Sequence, residues 1–422
     1  MDKIVDSDKI YDSFQRAIWP IFWCAQCFGI FPISGLRSST PNQINFSWTS
    51  LRTAYAAIYI LFAIFMLTLY TMHIISIGVT AKNFVGFAFF SCCVVSFLYF
   101  LWLARKWKEI MIIWTKKEST FLKFPYDVNR ISVVTHIRTM GIIFFAMALL
   151  EHMLFLANAV HNIFIEASIC QYNLPDKAKY YFLKQFSQIF KLIPYNILIG
   201  LGITWMNFSL TISWNFMDIF AILVSVGLSK RFEQINNRLR NVKGKCVPET
   251  YWQQIRLHYV ELCEVVEYVE IYISPVVLIS CTNDLYFICY QLLNVFDVLP
   301  YKINVIYFWY SLFYLIIRTI CLFLFTAEIN DQAKKPMEIL KTIPTFSWCV
   351  ELDRFIHQTA RESICLSGMR FFYLTRKLVL SMIGTVVTYE LVLMQFDYKT
   401  VLDFKNTTDT SYACDFSYND FL

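Results

Sequence analysis

Seven stretches of this sequence run apolar for about twenty residues each, the length a helix needs to cross the hydrocarbon of a bilayer. They fall at about 51–72, 84–104, 139–163, 195–227, 271–293, 303–328 and 377–397. None alternates between polar and apolar residues, so a closed membrane barrel is excluded and helices remain. Composition agrees. Of 422 residues, 57% are hydrophobic and 16% charged, with a mean hydropathy of +0.49. A soluble fold does not bury that much apolar surface, so lipid must act as solvent for part of it. The run 195–227 exceeds one crossing and is expected to continue into water. An eighth apolar run, Ala17 to Ile33, holds Pro20 and Pro32 and follows Asp2, Asp6, Asp8 and Asp12. A signal peptide begins with basic residues, so this run reads instead as a juxtamembrane helix. The expected fold class is an all-α membrane protein with seven transmembrane helices.

Lysine and arginine set the expected orientation. Of the 37, 28 lie in the N-terminal segment through Arg52 and in loops 105–138, 228–270 and 327–377. Eight lie in 73–83, 164–194, 294–302 and 398–422, and Arg318 lies inside a span. The excess of positive charge marks the cytoplasmic side, so the N-terminus is expected inside and the C-terminus outside. A glycosylation sequon at Asn406-Thr407-Thr408 then falls in the outer tail. A second match, Asn45-Phe46-Ser47, falls inside and should stay bare. The inner loops explain the net charge of +6, which implies no nucleic-acid partner. This orientation argues against a G-protein-coupled receptor. Asp-Arg-Tyr after the third run and Asn-Pro-x-x-Tyr in the seventh are also missing.

Polar groups inside spans are costly and therefore informative. The last run carries Glu390 and Gln395. Gln395 either lines a conduit or hydrogen-bonds between helices. Arg318 and Glu390 are charges that each need a partner, and they are candidates for one another. No metal site or cofactor is expected. Cys24-x-x-Cys27 lacks a second pair, and no Walker loop, dinucleotide fingerprint, Gly-x-Ser-x-Gly or His-Glu-x-x-His occurs, so enzyme function has no support. Cys170 and Cys414 both fall on the expected outer side and are candidates for a disulfide.

The stretch Thr388-Tyr389-Glu390-Leu391-Val392-Leu393-Met394-Gln395-Phe396 resembles the signature that closes the insect gustatory receptors, and Glu390 after the tyrosine is similar to their sugar-receptor branch. So are Ala25 to Pro32 near the start, Arg231-Phe232-Glu233-Gln234-Ile235-Asn236 after the fourth run, and Ser367 to Arg376. The resemblance covers nearly the whole chain. It implies a subunit of a four-fold, ligand-gated, non-selective cation channel in the plasma membrane of taste neurons, as a homotetramer or a heterotetramer with related subunits. It divides the chain into a cytoplasmic N-terminal segment (1–50), helices one to four of a ligand-binding bundle (51–227) and a cytoplasmic anchor region (228–270). Helices five and six (271–328), an anchor helix region (329–376), a pore helix (377–397) and an extracellular tail (398–422) complete it. Monovalent and divalent cations would permeate, and lipid would surround the assembly.

Carried over from the family, Thr388, Leu391, Val392, Gln395 and Phe396 form the pore wall and gate. Helical spacing puts Thr388, Leu391 or Val392, and Gln395 on one stripe. Asp397 and Asp403 are candidate acidic groups near the mouth. A sugar pocket needs hydrogen-bonding partners for hydroxyls and flat aromatic surfaces for C–H faces. The candidates are Glu151, His152 and Asn158 of the third span, Asn283 and Asp284 of the fifth, and Asn304 and Tyr307 of the sixth. Asn162, Tyr286, Gln291 and Ser311 continue these polar stripes. Structural readings stand beside this one: Glu151–His152 as a bonded pair, Asp284 as a buried partner of Arg318, and the asparagines as links between helices. Trp205 and Tyr310 read as packing. A secondary transporter and a metabotropic seven-helix receptor are the alternative classes. The acidic residues 261, 264, 267 and 270 read as a solvated helix face or as partners of basic anchor residues.

Overall fold

A computed structural model describes residues 12–38, 40–79, 81–126, 132–169, 177–295, 299–385 and 388. Its helices are α1 (Phe14–Cys27), α2 (Leu51–Ile77), α3 (Ala81–Glu118), α4 (Val133–Ile169), α5 (Lys177–Gln185), α6 (Ser187–Phe190), α7 (Ile197–Arg240), α8 (Glu249–Leu293), α9 (Lys302–Leu340) and α10 (Val350–Arg361). A two-stranded antiparallel hairpin follows, β1 (Ser367–Gly368) and β2 (Phe372–Tyr373). Residues 376–385 are helical again. Among the described residues, five helices are long and apolar enough to cross a membrane: α2, α3, α4, α7 and α9. The expected run 271–293 is the second half of α8, and the run 377–397 is described only to residue 385 and at Thr388.

The excess length of the fourth run generalises. At 44 residues α7 spans roughly 65 Å, about twice the hydrocarbon thickness. α8 has 45 residues and α9 has 39, so both also project far beyond one crossing. α7 is the axis of the molecule. It packs against α3, α4, α8 and α9, and its most apolar stretch is 94% buried.

The projecting ends carry most of the lysine and arginine, and they are tied together by buried polar groups. Glu118 at the end of α3 is nearly inaccessible. Its Oε1 accepts from Arg231 Nη2 of α7 at 2.7 Å, and its two oxygens accept the Phe14 backbone N–H of α1 at 3.1 and 3.2 Å. One carboxylate thus joins three helices. Farther along α7, Gln234 donates to Phe121 O, and Asn236 donates to the Gln332 side chain and backbone of α9. The segment Arg231 to Asn236 is therefore a row of interhelical bonds. Of the acidic row on α8, Glu261 and Glu264 meet Lys117 of α3, and Glu270 accepts from Ser367.

Two other quoted segments have equally local reasons. After α1, Gln26 donates to the carbonyls of Phe31 and Ile33 and folds the chain back. Gly29 has φ +74° there, and a Cβ would lie 2.3 Å from the Tyr59 ring. In the hairpin, Met369 and Arg370 both have positive φ. The Ser367 hydroxyl accepts the Arg370 N–H at 2.9 Å and steadies that turn. Arg376 closes the segment against Glu328 and Asp331 of α9.

Candidate functional site

α4 and α9 lie side by side and bring their polar residues to one level. Glu151, buried on α4, accepts a hydrogen bond from Ser311 of α9 at 3.2 Å, and Ser311 accepts from Gln291 of α8 at 3.1 Å. His152, also buried, packs against Phe208 of α7 in a tilted pair at 4.6 Å between ring centroids. Glu151 and His152 thus turn to different partners.

Both residues line a cavity of about 550 Å³. Tyr307 of α9 joins them, in ring contact with Phe155 of α4. α7 contributes Asn207, Thr211 and Trp214, and the short helices α5 and α6 contribute Gln185, Ser187 and Gln188. Phe89, Phe287 and Tyr290 add flat apolar walls, with Trp214 4.8 Å from Phe287 and 5.9 Å from Phe89. Three polar atoms on lining residues are shielded and have no protein partner: His152 Nε2, Gln188 Oε1 and Trp214 Nε1. Unpaired buried donors and acceptors cost free energy.

Behind the cavity lies a buried charge cluster. Arg318 of α9 is 1% exposed, so it must be neutralised inside the protein. Asp284 of α8 accepts from its Nη2 at 2.9 Å and from Thr319 Oγ1 at 2.9 Å. Asp218 of α7 places Oδ2 2.6 Å from Nε as an ion pair whose N–H is not aligned for a hydrogen bond. The Asn215 side-chain oxygen accepts from Arg318 and from Tyr314. The guanidinium also lies over the Trp214 ring, 4.8 Å from its centroid. Trp214 is therefore a wall of the cavity on one side and a neighbour of Arg318 on the other.

Two carboxylates, from α7 and α8, flank the Arg318 guanidinium, and Glu390, its other candidate partner, lies outside the described residues. Asp284 is likewise taken by Arg318 and Thr319 and does not line the cavity. Asn158, Asn283 and Asn304 are not among the lining residues either. Asn158 shares a face with Glu151 but stands seven residues, roughly 10 Å, farther along α4. Asn304 is one turn nearer the start of α9 than Tyr307. The amide oxygens of both are shielded and unpartnered. Asn283 precedes Asp284 and is turned about 100° from it. Trp205 and Tyr310 pack as expected, donating to Tyr59 and to the Met147 carbonyl. Thr388 is helical and donates to the Gly384 carbonyl at 2.8 Å. Leu391, Val392, Gln395, Phe396, Asp397, Asp403, Asn406, Cys170 and Cys414 lie outside the described residues.

Two signals stand outside the expected set. Asn207, Thr211 and Trp214 recur at steps of four and three, a helical stripe legible in the sequence. Asp218 is a carboxylate inside an apolar run, as rare as Asp284. The contribution of Gln185 to Gln188 has no such signal, since only the folding of that connection over the bundle brings it to the cavity.

The fold and the site can now be compared with known proteins. The sequence matches the family model described as trehalose receptor over residues 5–404. It is 40% identical to the gustatory receptor for sugar taste 64a of Drosophila melanogaster, covering 92% of this chain and 85% of that one. It is 31% identical to gustatory receptor 5a for trehalose of the same organism, covering 92% and 86%. Among solved structures it resembles the insect olfactory receptor OR5 from Machilis hrabei, with a TM-score of 0.62 at 14% identity over 90% of this chain and 97% of that one. The last likeness establishes the fold alone, a mostly helical, multi-pass membrane architecture. These relatives are receptors, and none is an enzyme. The chain belongs to the trehalose receptor family and is a relative of the sugar-taste gustatory receptors.

Proposed function

We propose that this protein is a sugar-gated, non-selective cation channel subunit of the plasma membrane, with the cavity between α4, α7 and α9 as its sugar site. One observation carries the reading: a carboxylate, an imidazole and a phenol (Glu151, His152 and Tyr307) converge on one aromatic-walled cavity. Carboxylates and imidazoles serve hydroxyls, and Trp214, Phe155 and Phe287 offer faces for C–H surfaces. The names of the relatives point to sugars, and trehalose among them. Asn158 and Asn304 lie toward the neighbouring ends of α4 and α9, where His161 and Tyr301 are also in ring contact, and they line the approach to the site. Asp284 serves Arg318 instead of the ligand.

In this reading the basic ends of α7, α8 and α9 are cytoplasmic, the cavity opens outward, and the C-terminal segment lines a shared four-fold pore. Thr388, Leu391, Val392, Gln395 and Phe396 are its wall and gate. Sugar opens it by binding the open state more tightly than the closed one. The test is a panel of mono- and disaccharides applied to cells expressing this chain alone, read as current. Sugar-evoked cation current that Glu151→Gln and His152→Ala weaken supports the reading. Sugar binding with no current in any ionic condition overturns the channel.

A further inference from the structure

α1 is packed on one face and open on another. A groove of about 390 Å³ runs between α1, α4 and α7, and every side chain that lines it is apolar or a cysteine except one, Arg138. Ile142 and Leu149 on its α4 wall are largely exposed, and α4 is long and apolar enough to cross a membrane. The groove therefore opens to hydrocarbon, not to water.

Arg138 stands where α4 begins, at the end of the molecule rich in lysine and arginine. Its Nε is shielded and has no hydrogen-bond partner, while its Nη2 donates to the Arg16 carbonyl at 2.9 Å. The charge that acts on it is that of Arg16, of like sign. Asp12, at the same end, is occupied by the Ser132 hydroxyl, the Val134 N–H and Arg231. One guanidinium, that of Arg138, thus stands in the lining of an otherwise apolar slot. Across α1, Trp19 and Trp23 border a second recess with Arg37 and Arg52. Tryptophan and arginine together mark headgroup depth in membrane proteins, which places α1 at the membrane surface.

We propose that this groove is a binding site for an anionic phospholipid, with one acyl chain in the slot and the headgroup phosphate held by Arg138. A soluble phosphate has no use for the slot, and a purely apolar guest leaves Arg138 without a counter-ion among the described residues. Phe208 lines the groove and touches His152, which lines the sugar cavity, so one ring contact links the two. The proposal goes beyond the sugar reading and requires only that the helices span a membrane.

The full-length protein is reconstituted in nanodiscs of phosphatidylcholine with and without a minority of phosphatidylserine, then released and its retained lipids counted by native mass spectrometry. Wild type is expected to retain phosphatidylserine preferentially. Arg138→Gln lowers that retention about fivefold, the value of one arginine near an anionic surface. Ala146→Trp fills the exposed slot and abolishes retention, while Arg138→Lys keeps it. Unfolding midpoints identify any variant that fails to fold, and the two independent substitutions keep the question answerable. Equal retention of both lipids, retention unchanged in both Arg138→Gln and Ala146→Trp, or displacement of the lipid by glycerol phosphate overturns the proposal. No sugar response is read, so failure here leaves the sugar site untouched.

Discussion

At the scale of residues, the two carboxylates Glu151 and Asp284 look alike in sequence and differ in the fold. Glu151 faces the cavity and is held by one neutral donor, Ser311. Asp284 is fully buried against Arg318. Their substitutions should separate. Glu151→Gln keeps an acceptor for Ser311 and loses the charge-assisted bond to a sugar hydroxyl. We expect the sugar dose–response midpoint to rise roughly tenfold with unfolding unchanged. An unmoved midpoint removes Glu151 from the ligand shell. Asp284→Ala strips Arg318 of one of its two anionic neighbours and should cost about 3–5 kcal/mol of stability. It should be seen as lost surface expression and a lower melting temperature, before any change in sugar preference. Normal expression with a selectively shifted midpoint would return Asp284 to the pocket. The rarity of charges in apolar runs made these residues visible in the sequence. Their division of labour was left open, with Asp284 read both as a ligand group and as a buried partner of Arg318, because it depends on which neighbour each side chain meets across helices.

At the scale of elements, the projecting ends of α3 and α7 clamp α1. Glu118 satisfies the first N–H of α1 and pairs with Arg231 inside the protein. Glu118→Ala leaves the Phe14 N–H without its acceptor and deprives Arg231 of its nearest carboxylate, at a cost of about 3–5 kcal/mol. The expected readout is a lowered melting temperature with new protease cleavage near α1, and an unchanged melting curve would refute the clamp. Glu118→Gln should be milder, because its carbonyl still accepts one of these bonds. The length of the fourth run disclosed that α7 is longer than one crossing. That α8 and α9 project beside it was less legible, because their extensions are polar and carry no hydropathy signal of their own. The connection 177–190 read only as an outer loop, yet it places Gln185, Ser187 and Gln188 on the cavity. Its position follows from packing over the bundle and not from any period in its sequence.

At the scale of the whole molecule, the proposed channel requires an orientation and an axis. An epitope tag after Leu422 should bind antibody on intact cells, and a tag before Met1 only after permeabilisation. The reverse pattern would invert the proposed topology. Gln395→Ala should alter conductance or open probability while leaving the sugar-binding midpoint within about twofold, since a pore group contacts no ligand. Currents identical to wild type would remove Gln395 from the gate. A purified assembly should gather its C-terminal helices around one four-fold axis.

The length of the apolar runs, the placement of lysine and arginine, and the closing signature are properties of the chain read in one dimension. They were enough to establish a helical membrane protein of this receptor family. Which polar groups share a cavity is a three-dimensional matter. Asn158 and Glu151 lie on one face of α4 but two turns apart, and only one of them reaches the space that α7 and α9 enclose. The partners of Arg318 were likewise decided by the crossing of α7, α8 and α9, because a buried cation takes the carboxylates that packing brings within a few ångströms, whatever their distance along the chain.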